Sequence, residues 1–499
     1  MDELSGEELA ELGEAFDVGL PDAQVKEVRA QVNDSVRALE ALDSIPVELP
    51  TPDGAAGREW SDPGADAADG VCCRCHVPPT ADASALLEGV EIGLKDIIAV
   101  AGVPMSCGSD VARGFVPGID ATVVRRLRAA GGTITAKLRL DEFAGSARGT
   151  TGSGGPIRNP HDPERTAGGS SGGSTVAVAT GEVDLALGTD TGGSVRIPSA
   201  LCGVIGLKPT YGLVPISGIV ENTYTQDHVG PIADSLDLIA RSLEAMAGKT
   251  TADPASLQAA GRDAYRVGGY ADAVEEPPAP GSVELGVLTD GMDEEVADAV
   301  IERTEAALDG FADEGASVRR VSVDHYGDSS AIKNALSFTE LAAHWRAGGA
   351  AYRRGGIDHD GDQATLAARM HGRNRDLGPF YRGKLLAGAY LIAHDDGRLY
   401  TRAQAARETL RAEFDAALGP VDAIAMPTVP GVAPRIEDVD DPGFTYGKNT
   451  RPANVARLPA ITLPNGTVDG LPVGFQLVAP AFAERELLGL AAAVEPVLA

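Results

Sequence analysis

The sequence predicts an α/β protein in which short apolar strands alternate with amphipathic helices. Three observations carry this reading. First, Val123, Val124 and Leu127 lie on one helical face, a Gly131-Gly132 pair ends that pattern, and the strand TITAKL follows at once. Second, the alternation resumes after residue 281, where VELGVL, a helix from Glu294 to Phe311 and the strand VRRVSV succeed one another. Third, 499 residues suffice for one large α/β fold with a sizeable core.

In chain order, Ser5 followed by Glu8 forms a capping box for a helix through Phe16. Val25, Val28, Val32, Val36, Leu39 and Leu42 then recur every three or four residues on a longer helix that starts near Pro21 and Asp22. Two helices cannot bury that face alone, so it is expected to dock on the main body or on a second copy of the chain. Pro46 to Gly70 is rich in Pro, Gly, Asp and Ala and reads as a linker. The chain therefore divides into an N-terminal helical extension with linker, residues 1–70, and a main domain, residues 71–499. Residues 89–105, GVEIGLKDIIAVAGVPM, set one lysine, Lys95, between two strand-like runs. Asp120 is placed to N-cap the helix that follows, and residues 141–160 form a long Gly/Ser loop. VDLAL is a strand, and a helix spans Ser235 to Met246. Residues 250–281 are a polar excursion, and helices fill residues 330–418. VDAIAMPTVP, PAITLP and LPVGFQLVAP supply the last strands before a closing helix from Glu484.

Composition excludes several classes. Lys plus Arg number 42 against 73 Asp plus Glu, a net charge of −31, which repels phosphate backbones and leaves no basic patch for nucleic acid. The charge is spread over many segments, as on the hydrated acidic surfaces of salt-adapted proteins. The five cysteines, Cys72, Cys73, Cys75, Cys107 and Cys202, lack the spacing of a disulfide scaffold. Cys72 to His76 resembles a metal knot but has no second ligand pair, and Val71 and Val77 read as strand. His359 between Asp358 and Asp360 reads as a solvated loop. The acidic N-terminus is not a signal peptide, and no apolar run reaches membrane-spanning length, so the chain reads as soluble and cytoplasmic.

The stretch from Thr166 to Thr210 holds two glycine-serine knots, Gly168–Ser174 and Gly188–Ser194. A single GGSSGGS reads as linker, but a second knot flanked by a strand, Asp190 and Arg196 does not. Glycine lets consecutive N–H groups converge, so Thr191, Gly192, Gly193 and Ser194 are placed to aim donors at a developing oxyanion. A nucleophile at Ser194 then sits within its own oxyanion hole. Residues 168–172 also fit the G-x-S-x-G nucleophile elbow, yet that motif needs a preceding strand, and the polar loop NPHDPER stands there instead.

The pattern GGSSGGS…GTDTGGSVRIPSA.CG..GLKPT closely resembles the amidase signature family of serine hydrolases over about forty residues, and the likeness extends over residues 71–499. The resemblance implies a central mixed sheet covered on both faces by helices, with Ser194 as nucleophile. It implies Ser170, 24 residues earlier and joined through a cis peptide, as proton bridge, and Lys95, in its G-[LIV]-K-D context, as base. The apolar flanks Ile92, Leu94, Ile97 and Ile98 predict burial of Lys95, which favours its neutral form. Among the eight histidines, His76, His161 and His228 lack the context of a Ser-His-Asp triad. Ser171, Asp190 and Arg196 read as braces. Phe143, Gly145 and Ser146 are candidates for the acyl pocket, and Tyr224, Gln226 and Asp227 for the site's lining. No metal or organic cofactor is required.

Within the family three readings compete: a free-standing amidase, the glutaminase (A) subunit of a tRNA-dependent amidotransferase, and a catalytically silent scaffold. The complete Lys95, Ser170, Ser194 set opposes the last. The N-terminal helices favour the first, because the amidotransferase subunit normally starts close to its lysine strand. On that reading the partners are a small-molecule amide and a second copy of the chain, with neither nucleic acid nor membrane.

Overall fold

A computed structural model describes residues 3–39, 41–42, 45, 53–54, 56–64, 69–349, 360–440 and 445–498. The chain forms two compact units, Met1–Pro50 and Thr51–Ala499.

In the first unit, helix α1 (Gly6–Ala15) and helix α2 (Asp22–Leu39) form as the periodicity predicts. Ser5 Oγ accepts the Glu8 N–H at 3.1 Å and Glu8 Oε2 accepts the Ser5 N–H at 2.8 Å, so the capping box is complete. Asn33 ties the pair together by accepting the Leu4 N–H at 2.8 Å.

Among the described residues the second unit is built on twelve strands: β1 (Glu59–Ser61), β2 (Val71–Val77), β3 (Glu91–Lys95), β4 (Thr133–Leu138), β5 (Leu185–Thr189), β6 (Ile205–Lys208), β7 (Val229–Ala233), β8 (Glu284–Leu288), β9 (Ser317–Val321), β10 (Ala423–Pro427), β11 (Ala460–Val468) and β12 (Leu471–Val478). They form one mixed sheet in the order β1-β2-β4-β3-β5-β7-β6-β11-β12-β10-β8-β9. The pairs β4–β3, β3–β5, β10–β8 and β8–β9 are parallel and the rest antiparallel.

Alternate residues of β5 show how helices cover both faces. Leu185 and Leu187 pack in the cluster that holds Val123, Val124 and Leu127 of helix α3 (Thr122–Ala129). Ala186, between them, packs with Ala177 and Val178 of helix α4 (Gly172–Ala179). A strand sends successive side chains to opposite faces, so α3 and α4 lie on opposite sides of the sheet.

Several expectations change. Strand β1 lies inside the supposed linker and pairs with β2, Trp60 opposite Cys75. The Arg58 beside it holds buried Asp120 at 2.6 Å, so the main body begins earlier than residue 71. Asp120 does not cap α3. It is consumed by Arg58 and by Arg128 at 2.8 Å, and Ala121 occupies the N-cap position. The apolar run after Lys95 is a chain of turns with isolated bridges at Ile98 and Met105. Strands β6 and β7 have no clear signature in the sequence: each is short, and β7 contains Pro231, which counts against a central strand. Cys72, Cys73 and Cys75 lie on β2 as strand residues. Among the described residues no group of His, Cys, Asp or Glu is arranged to hold a metal, and no helix is long and apolar enough to cross a membrane. His359 lies outside the described residues.

Candidate active site

Parallel pairing of β3 with β5, Leu94 opposite Leu187, brings Lys95 and Thr189 to the same end of the sheet. The first glycine-serine knot leads into α4 beside them, and the Gly169-Ser170 peptide is cis. A Cβ on Gly169 would lie 2.0 Å from Asp141 Oδ2, so only glycine fits before Ser170. Lys95 is fully buried. Its Nζ is 2.7 Å from Ser170 Oγ, 2.9 Å from Ser171 Oγ and 2.7 Å from Thr189 Oγ1. Ser171 Oγ also donates to the Thr189 carbonyl at 3.2 Å, so it faces Lys95 as an acceptor. The two N–H bonds of a neutral Lys95 are thus satisfied by Ser171 and Thr189, which leaves its lone pair for Ser170. Burial pulls the Lys95 pKa down to about 7, although the carboxylates of Asp141, Asp190 and Asp227 oppose the shift.

The second knot is braced by a buried ion pair. Arg196, on helix α5 (Arg196–Cys202), places Nε 3.0 Å from Asp190 Oδ2 and also donates to Gln476 and Asn454 at 2.8 and 2.7 Å. The Arg196 guanidinium holds the Asp190 carboxyl well below the usual range against the burial that would raise it. Asp190 accepts the N–H groups of Gly193 at 2.7 Å and Val195 at 3.2 Å. The Gly193 N–H, expected among the oxyanion donors, is therefore turned away to Asp190. The N–H groups of Thr191, Gly192 and Ser194 have no acceptor among the described residues. Gly193 has φ 119° and a Cβ there would meet Thr450 Oγ1 at 2.0 Å, so its place in the knot demands glycine. The knots meet where the Ser171 N–H donates to the Ser194 carbonyl at 3.2 Å.

A cavity of about 560 Å³ opens onto Ser194. Gly145 and Ser146 line it, but Phe143 does not. Phe143 turns inward to pack its ring 5.3 Å from those of Trp345 and Tyr381, because that apolar cluster buries it completely. The polar wall is basic: Arg148, Lys333, Lys384 and Arg451 face one carboxylate, Asp440. Arg148 pairs with Asp440 at 2.7 Å, Lys384 donates to the Gly145 carbonyl, and Arg451 donates to Ser330 at 2.9 Å. Burial, with the neighbouring Lys384 and Arg451, pushes the Lys333 ammonium well below the ordinary lysine value. Burial likewise lowers Lys384 to about 8.

The family model described as Amidase matches residues 77–488. The chain belongs to the amidase signature family. Among its relatives is the A subunit of the glutamyl-tRNA(Gln) amidotransferase of Halobacterium salinarum, 42% identical over 423 residues, covering 82% of this chain and 95% of that protein. The crystal structure of the corresponding A subunit from Thermotoga maritima superposes with a TM-score of 0.68 and 32% identity, over 82% of this chain and 83% of that one. Peptide amidase from Stenotrophomonas maltophilia superposes with a TM-score of 0.69 and 33% identity, over 83% of each chain. The chain is thus an enzyme acting on amide carbon–nitrogen bonds. The expectation that the partners are limited to a small-molecule amide and a second copy of the chain, without nucleic acid, is overturned, because the relative from Halobacterium salinarum is one subunit of an assembly named for a tRNA-linked glutamyl group.

Some residues of the site carry no local signal. Thr189 lies in GTDTGGS without any mark that its hydroxyl meets Lys95. Lys208 and His228 are fully buried behind the second knot, with His228 Nδ1 2.9 Å from the Asp190 carbonyl and Nε2 3.5 Å from Lys208 Nζ. His161 bonds the Cys202 carbonyl at 3.0 Å.

Proposed function

We propose that this chain is the glutamine-hydrolysing A subunit of a tRNA-dependent amidotransferase, with Ser194 as nucleophile, Ser170 as proton relay and Lys95 as base. The observation that carries the reading is the 42% identity to the Halobacterium salinarum protein over 95% of its length. The cavity supports it. Lys384 and Arg451 suit the α-carboxylate of glutamine, and Asp440 suits its ammonium.

In this mechanism neutral Lys95 takes a proton from Ser170 as Ser170 takes one from Ser194, and Ser194 Oγ attacks the side-chain amide carbon. The carbonyl electron pair moves onto oxygen, where the N–H groups of Thr191, Gly192 and Ser194 meet it. Collapse breaks the carbon–nitrogen bond, and the proton returned through Ser170 leaves on ammonia. Water then attacks the Ser194 ester and yields its proton to the same relay, releasing glutamate and restoring Ser194. The ammonia passes to a partner protein that holds glutamyl-tRNA.

The test is to measure glutamine hydrolysis by the chain alone and with its partner proteins and glutamyl-tRNA(Gln). The expected result is a manyfold rise in the complex, with the amide appearing on the tRNA-bound glutamyl group. A rate indifferent to partners and tRNA, with simple amides processed as readily as glutamine, overturns the reading.

A further inference from the structure

The Thr191 side chain is tied to the far wall of the cavity through one carboxylate. Thr191 Oγ1 donates to Asp227 Oδ1 at 2.6 Å. The other oxygen of Asp227 accepts the N–H groups of Asn222 at 2.8 Å and Thr223 at 2.9 Å. Asn222 Nδ2 in turn donates to the Ala144 carbonyl at 2.7 Å. Ala144 directly precedes the wall residues Gly145 and Ser146, and Phe143 and Ala144 are consecutive non-glycine residues with φ 44° and 55°. Left-handed backbone at such residues is strained and persists only where the surroundings hold it.

A carboxylate suits this place for a stereochemical reason. Three donors converge on its two oxygens, and an amide would set its own N–H bonds against one of them. A buried negative charge beside an oxyanion site opposes catalysis unless its placement returns something else. Here it fixes the distance between the loop under Ser194 and the wall of the acyl pocket.

We propose that Asp227 is a positioning residue for amide hydrolysis, holding the oxyanion loop through the Thr191 hydroxyl and the acyl-pocket wall through Asn222. The proposal requires Ser194 to be the acylated residue and does not depend on glutamine being the substrate. It is tested on the full chain by the rate at which a fluorophosphonate modifies Ser194, a reaction that uses the same oxyanion loop. Thr191→Val keeps the shape and removes the hydroxyl. It should slow labelling about tenfold, less than the roughly 10²- to 10³-fold typical of losing an oxyanion donor outright. Thr191→Ser should restore the rate to within about threefold of the parent. Asn222→Ala should slow labelling severalfold, and the double variant should lose less than the product of the two losses, because both arms act through Asp227. Wild-type labelling in Thr191→Val, or independent multiplicative losses, overturns the proposal. If Thr191→Val does not fold, Asn222→Ala decides alone, and an unchanged rate there overturns it.

Discussion

Replacing Lys95 by methionine separates the energetic cost of the buried amine from its chemical use. The free lysine value of 10.5 falls to about 7 in the folded chain. Below pH 7 both folded and unfolded chains carry the proton, and burying the ammonium costs about 5 kcal/mol, at about 1.4 kcal/mol for each pH unit separating the two values. Between pH 7 and 10.5 the unfolded chain binds more protons than the folded one, so the Lys95 contribution makes stability rise with pH. At pH 9 the remaining cost is about 2 kcal/mol. Lys95→Met removes this dependence. It also strips a partner from the hydroxyls of Ser170, Ser171 and Thr189, a loss of about 1 kcal/mol each that does not change with pH. The variant should therefore gain about 3 kcal/mol more relative to the parent at pH 6 than at pH 9, as read by denaturant unfolding at the two values. Its Ser194 labelling should collapse. In the parent, labelling should rise about tenfold per pH unit below 7 and level off above it. A stability difference that does not change with pH, or labelling in Lys95→Met at the parental rate, refutes the argument.

Ser194→Ala should abolish turnover while leaving the unfolding midpoint near the parent's, and a fluorophosphonate adduct should map to Ser194; an adduct on Ser170 reverses the assignment. Arg196→Met leaves the Asp190 carboxylate buried without its guanidinium and should cost about 3–5 kcal/mol in denaturant unfolding, with a loss under about 1 kcal/mol contradicting the bracing role. With a net charge of −31, stability should increase from about 0.1 to 1 M salt as the Debye length shrinks from about 10 to 3 Å, and a flat melting temperature over that range counts against a salt-adapted surface.

Local pattern sufficed for much of the molecule because its signals are short-ranged. The capping box of α1, the period of α2, the strand TITAKL and the alternation after residue 281 depend on residues within a few positions of one another. The glycine-serine knot at Ser194 stands out for a similar reason, whereas the roles of Lys95 and Ser170 are implied by the resemblance of their motifs to the amidase signature family. Contacts between distant segments decided the rest. Phe143 is drawn into an aromatic cluster with Trp345 and Tyr381, and Arg196, which holds the Asp190 that takes the Gly193 N–H, reaches Gln476 and Asn454, 280 and 258 residues away. None of these has a periodicity to betray it. Net charge misled in the same way. It sums the whole chain to −31 and carries no information on where charges gather, whereas Arg148, Lys384 and Arg451, scattered in sequence, are brought to the cavity at Ser194 only by the fold. Interactions between exposed charges fall off within about 10 Å at moderate salt, so the composition of the whole chain does not give the charge of one cavity.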